Sequence, residues 1–146
     1  MSYAILHVRQ SFASSCGPAC VAMIAKVSEA EAIESIFGWE QRRALACDWP
    51  MLKAGLLDRG VRFNGGAKRC STWEKIAGLA IVGVGRSKSP VGPVTHFVVF
   101  DADAQMVYDP KKPGPTPPEK VRRRPVSYLS IARRLGERHL KASEHI

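Results

Sequence analysis

The sequence predicts an α+β domain, with helices in its first half and an antiparallel sheet in its second. Three observations carry that expectation: helix-start signals ahead of apolar stretches early in the chain, short β-rich runs later, and turn-forming residues between those runs. A chain of 146 residues has room for one domain and one core, so residues 1–146 are expected to form a single unit. Apolar residues make up 45% and charged residues 24%, a balance that excludes a disordered chain.

Taken in order, residues 3–9 read as a short strand. A helix is predicted from about Cys16 to Lys26, its apolar face built from Ala, Val, Met and Ile. Ser28-x-x-Glu31 is a capping-box pattern that opens a helix to about Phe37. Asp48, with Pro50 just inside, opens another that should stop at Gly60. A brief strand at Val61–Phe63 leads to Ser71-x-x-Glu74, a second capping-box pattern on a short helix. Leu79–Val84, Thr95–Phe100 and Gln105–Tyr108 are β-rich, and Gly85–Pro93 between the first two must be a loop. Residues 110–118 hold five prolines and cannot join a sheet interior. A last amphipathic helix is predicted over about Ser127–Leu140, with Leu129, Ile131, Ala132 and Leu135 on its apolar side. The helix begun by Cys16 should pack on the sheet, burying Val21, Ile24, Val82, Phe97 and Val99.

Composition also narrows the setting. No basic segment followed by a long apolar one stands at the start, and the longest apolar runs, Gly78–Val84 and Phe97–Phe100, are too short to span a bilayer. A soluble, cytoplasmic protein is expected. In that setting the four cysteines, at 16, 20, 47 and 70, should be reduced thiols. Paired C-x2-C knuckles are absent, so no metal or other cofactor is expected. The net charge of +9 is concentrated late, in Arg122, Arg123, Arg124, Arg133, Arg134, Arg138 and Lys141. Such a tail can meet an acidic protein, nucleic acid or anionic lipid, although without interleaved aromatics a solvated face is the simpler reading.

Two segments carry chemistry: Gln10-Ser-Phe-Ala-Ser-Ser-Cys16-Gly-Pro-Ala-Cys20, and His96-Phe-Val-Val-Phe with Val-Tyr-Asp109-Pro beyond it. Cys16 lies where a loop meets a helix start, and the free N–H groups and partial positive charge there favour a thiolate. The Gln10 carboxamide, on the loop beside that helix start, can join the Cys16 N–H in holding an oxyanion. Asp101-Ala102-Asp103-Ala104 reads as a tight turn with Ala102 and Asp103 as its two loop residues. That register sets His96 opposite Asp109 on the same face, with β-carbons about 5 Å apart. A carboxylate there accepts the imidazole N–H and leaves the other nitrogen for the thiol. Asp101 and Asp103 lie roughly 17 Å away at the far end of the hairpin and cannot substitute. Cys20 reads as core packing, Cys47 and Cys70 as small hydrophobes, and His7, His139 and His145 as ordinary histidines.

The pattern Q-x5-C-G-P-A-C-x-A-M-I, followed by H-F-V-V and Y-D-P, resembles the C39 peptidases over roughly residues 8–110. These papain-like domains sit at the front of bacteriocin exporters and remove double-glycine leader peptides. The resemblance implies a papain-like fold, a nucleophile at Cys16, an oxyanion donor at Gln10, a base at His96 and an orienter at Asp109. The exporter's transmembrane and ATPase regions are missing, so a stand-alone C39-like protein acting on a peptide or protein substrate is expected. Two other functions use the same features. One is hydrolysis or transfer at a side-chain amide, as in a deamidase or transglutaminase; the other is a non-catalytic binding module that uses the basic tail.

Overall fold

The computed structural model describes residues 5–38, 45–85, 94 and 96–134. Three helices come first: α1 (Cys16–Ala25), α2 (Glu29–Phe37) and α3 (Trp49–Asp58). The strands are β1 (Val61–Phe63), β2 (Lys68–Arg69), β3 (Leu79–Val84), β4 (His96–Asp101), β5 (Met106–Tyr108) and β6 (Pro125–Arg134). They form one antiparallel sheet in the order β1-β6-β3-β4-β5, with β2 also paired to β6. The α+β class is therefore as the sequence predicts.

The helix boundaries follow their end signals. Ser28 Oγ accepts the Glu31 N–H while Glu31 Oε1 accepts the Ser28 N–H, both at 3.0 Å, which completes the capping box of α2. Asp48 Oδ1 accepts the Met51 N–H at 3.0 Å to start α3, and Gly60, at φ 75°, turns the chain out of it. α1 is buried on nearly all sides, as a helix rich in Ala, Val, Met and Ile should be when it is enclosed by β4, α2 and α3.

β3 and β4 are buried on both faces, which explains their near-continuous apolar sequences. On one face Leu79, Ile81, Phe97, Val99, Leu129 and Ile131 pack beneath α1 and α3. On the other, Ala80, Val82, Val84, Val98, Phe100 and Val107 are covered by Ile76, Trp73 and Val121, with Trp73 edge-on to Phe100 at 5.1 Å. Val21, Ile24, Val82 and Val99 are 0% exposed and Phe97 is 6% exposed, as expected.

Four expectations need correction. The described part of the first segment, residues 5–9, is irregular rather than a strand. Pro110, whose carbonyl accepts the Gln10 N–H at 2.9 Å, has no N–H with which to continue a ladder. Ser71-x-x-Glu74 does not open a capped α-helix: Thr72 precedes a 3-10 turn at Trp73–Lys75 and gives no side-chain cap. The β4–β5 turn spans residues 102–105 rather than two residues, with Gln105 at φ 54°, so Val99 faces Tyr108 where the tighter turn would set Met106.

The largest correction is β6, where a helix is predicted from Ser127. Val126, Tyr128 and Ser130 alternate with Ser127, Leu129 and Ile131, a period of two that suits a sheet. The β-branched and aromatic residues in the run also favour a strand, and Pro125 occupies its first position, where a missing N–H is tolerated. Pairing with β1, β2 and β3 satisfies the backbone on both edges. The tail beyond Arg134 and most of the Gly85–Pro93 loop lie outside the described residues. No helix among the described residues is long and apolar enough to cross a membrane.

Candidate active site

Cys16 is the first residue of α1. The N-cap, Ser15, gives the helix no side-chain cap, so its hydroxyl does not occupy the first-turn N–H groups. Pro18 brings none of its own. The loop leading in is tied by hydrogen bonds of its own: Ser15 Oγ accepts the Phe12 N–H at 3.1 Å, and Glu29 Oε2 accepts from both Ser11 N–H and Ser15 Oγ–H at 2.9 Å. The first turn is wedged from behind as well. A Cβ on Gly17 would stand 3.0 Å from Cys47 Cβ, Cys47 Sγ and Leu52 Cδ2, so a side chain there needs Cys47 or Leu52 to give by a few tenths of an ångström.

His96 opens β4, and the β5 ladder ends at Tyr108 opposite Val99. The first three residues of β4 therefore have β3 beside them but no β5 partner. Cys16 faces this opening, near enough to the His96 ring and the Phe97 backbone N–H for both to favour its thiolate. On its other side the ring donates through Nε2 to Asp109 Oδ1 at 2.6 Å, which leaves Nδ1 for the thiol. The side chain of His96 is 3% exposed and that of Asp109 21%. Asp109 is held in turn, because Oδ1 also accepts the Lys111 N–H at 2.9 Å and its carbonyl accepts the Lys112 N–H at 2.9 Å.

The hairpin register thus differs from the expected one by two residues, yet His96 and Asp109 still meet. A slip of two preserves which face each side chain takes, and the turn after β5 brings the carboxylate back to the ring. Asp101 stays in the hairpin turn, accepting the Ala104 N–H at 3.2 Å.

The electrostatics follow from these contacts. Burial pushes the Cys16 thiol up, but the His96 hydrogen bond, the Phe97 N–H, the imidazolium charge and the Gly17 N–H outweigh it and hold the thiol below its ordinary value. Burial disfavours a charged His96, yet its bonds to Asp109 and Cys16 and their negative charges raise it above an ordinary imidazole. Burial likewise opposes ionisation of Asp109, and the His96 bond, the Lys111 N–H and nearby positive charge bring it below the ordinary carboxylate range. The other thiols move the opposite way. Burial, with the charges of Cys16 and Asp48, pushes Cys47 up to about 12; burial also raises Cys70 and takes Cys20 well above a normal thiol. A thiolate–imidazolium pair beside a carboxylate can attack a carbonyl carbon and then protonate a leaving group.

Gln10 lies on the same loop, but its carboxamide is committed elsewhere. Nε2 donates to the carbonyls of Phe12 at 2.7 Å and Ala13 at 3.0 Å, and Oε1 is buried with no partner. Sequence reasoning missed the Phe97 and Lys111 N–H groups, which any residue could supply, and the Glu29 anchor, which no motif marks. His7, read as ordinary, donates from Nε2 to the Lys112 carbonyl at 2.7 Å and so braces the Asp109 turn. All four cysteines are free thiols, and Cys20 is fully buried in the core. His139 and His145 lie outside the described residues. An open groove of about 570 Å³ lies on the far face of the sheet, lined by Trp73, Ile76, Gln105 and Val121, and includes none of the site residues. Among the described residues no group of three or more His, Cys, Asp or Glu side chains could hold a metal ion.

Compared with known families and with characterised proteins, the chain matches no family model and no curated sequence.

Proposed function

We propose that this chain is a papain-like cysteine peptidase of the C39 type that cleaves a peptide bond through Cys16, His96 and Asp109. The observation that carries the reading is Cys16 at a helix start beside His96, whose ring is hydrogen-bonded to Asp109 at 2.6 Å. Cys16 Sγ attacks the carbonyl carbon and the C=O π electrons move to oxygen. His96, protonated at Nδ1, gives that proton to the departing amine as the C–N bond breaks, leaving a thioester on Cys16. A water then loses a proton to His96 Nδ1 and attacks the thioester, releasing the acid and restoring the pair.

The first-turn N–H groups of α1 are the oxyanion donors best supported by the geometry. Gln10 joins them once its carboxamide turns from the Phe12 and Ala13 carbonyls, which costs two hydrogen bonds that the oxyanion repays in part. A substrate with glycine before the scissile bond suits the reading because a residue without a side chain can approach a half-buried sulfur.

The test begins without a substrate. Near pH 6, iodoacetamide should alkylate Cys16 well ahead of Cys20, Cys47 and Cys70, as peptide mapping would show. Double-glycine leader peptides should then yield new termini with wild type and none with Cys16→Ala. Equal labelling of the four thiols ends the catalytic reading. Deamidated side chains in the absence of new termini would reassign the triad to side-chain amides.

A further inference from the structure

We propose that Glu29 is a positioning residue of this site, holding the loop that presents Cys16 and Gln10; the inference rests on the cysteine-hydrolase reading above. Glu29 is the first residue of α2, a place where an acid commonly serves its own helix. Here that duty is discharged by Ser28 and Glu31, whose reciprocal bonds complete the capping box. The Glu29 carboxylate turns to a different segment.

One oxygen, Oε2, accepts the Ser11 N–H and the Ser15 Oγ–H, each at 2.9 Å. These two partners bracket the loop: Ser11 follows Gln10, and Ser15 precedes Cys16. Ser15 is 0% exposed, so its hydroxyl depends on protein partners, and its one proton has two acceptors, Glu29 Oε2 at 2.9 Å and the Phe12 carbonyl at 3.1 Å. Bonds to a carboxylate are stronger than those between neutral groups, which makes Glu29 the strongest acceptor on this loop. Residues 10–15 have no regular structure, and their shape is set by these bonds, by those of Gln10 and by the Phe12–Ser15 turn, which among the described residues only Glu29 ties to another helix.

The two halves of the site are held by different means. His96 is fixed by β4 and Asp109, whereas Cys16 depends on the packing behind Gly17 and on how the loop delivers the first turn of α1. A shift of Ser15 moves Cys16 directly, since the two are adjacent, while His96 stays in place. Glu29 touches no reacting atom. It sets the distance between sulfur and ring.

The experiment uses the full chain and three variants that separate reach from charge. Glu29→Gln keeps an acceptor oxygen at the same reach without the charge. Glu29→Asp keeps the charge but withdraws it by one methylene, and Glu29→Ala removes both. The readout is the rate of Cys16 alkylation by iodoacetamide near pH 6, mapped by peptide, with melting temperature as the check on folding. Gln should stay close to the wild-type rate, whereas Asp and Ala should slow by about 10- to 10²-fold, the cost of an ångström-scale misplacement. A wild-type rate in Glu29→Asp, or a loss in Gln as deep as in Ala, overturns the proposal. Should the Ala variant fail to fold, the Asp–Gln contrast still decides. If Cys16 of the wild type reacts no faster than the other thiols, the catalytic reading itself fails and takes this inference with it, an outcome read before any variant is made.

Discussion

Replacing Gly83 with alanine probes the strand junction that delivers His96. Gly83 lies in β3, opposite Phe97 of β4 on one side and Ser127 of β6 on the other. A Cβ there would stand 2.7 and 2.9 Å from the two methyl carbons of Val94, and 3.1 Å from Ser127 Oγ. Valine methyls are fixed to Cβ and cannot swing aside as a long side chain would, so the backbone at Val94 must give. Overpacking of this kind costs about 1–3 kcal/mol. Alanine offsets about 0.4–1 kcal/mol of that by restricting the unfolded chain. Two contacts closer than 3.0 Å place the cost in the upper half, leaving a net loss of about 2 kcal/mol. For a chain of this size that corresponds to a melting temperature lower by about 4–8 °C, read by circular dichroism. Val94 is two residues ahead of His96, so alkylation of Cys16 should slow as well. The double variant Gly83→Ala/Val94→Ala removes the opposing methyls and should cost less than the sum of the singles by at least about 0.5 kcal/mol. A Gly83→Ala protein that melts at or above wild type, or strict additivity in the double variant, refutes the steric argument.

Further outcomes follow from the site. Asp109→Asn should keep the ring oriented while lowering the His96 pKa, because a stabilising anion has gone; Asp109→Ala should lose more activity because the ring is also free to turn. Nuclear magnetic resonance titration of His96 and peptide turnover separate the two effects, and an unmoved titration in Asp109→Asn would count against the pair. Gln10→Ala should lower turnover by about 10²–10³-fold if the carboxamide swings onto the oxyanion, and lower it more than Cys16 alkylation, which forms no oxyanion and feels only the lost loop bonds. Unchanged turnover would confine Gln10 to its loop bonds. Activity should follow a bell in pH: the depressed Cys16 keeps its thiolate below the ordinary thiol value of about 8.5, and the raised His96 keeps its proton above about 6.5. The acid limb belongs to Cys16 and the alkaline limb to His96, so Asp109→Asn should draw in the alkaline limb alone.

Local signals proved readable wherever the chain itself closes the relevant hydrogen bonds. The Ser28–Glu31 box, the Asp48 cap and the start of α1 at Cys16 all lie within four residues of what they control. What escaped depends on distant partners. Leu129, Ile131 and Ala132 fit one face of a helix on paper, and only the free edge of β3, far back in sequence, selects the alternating pattern instead. The hairpin register turned on Gln105 adopting a positive φ, which few glutamines do. The pairing of His96 with Asp109 survived because a two-residue slip conserves the face. For Gln10 the sequence conveys its place on the loop but not its orientation, since the carbonyls it bonds belong to residues of no distinctive type.

The lateness of β6 has a consequence for how the Cys16–His96–Asp109 site comes together. Val61 pairs with Arg134 and Leu79 with Ile131, so the sheet closes through contacts between residues far apart in the chain. Such closure is slow, because loop entropy is spent before the contacts return it. Leu129 and Ile131 also belong to the core beneath α1, so that helix lacks part of its floor until β6 docks. During synthesis, a ribosome that has not yet released residue 134 carries a chain with Cys16, His96 and Asp109 already made but the sheet between them unfinished. On the proposed reading, Cys16 and His96 come into register only after β6 has docked.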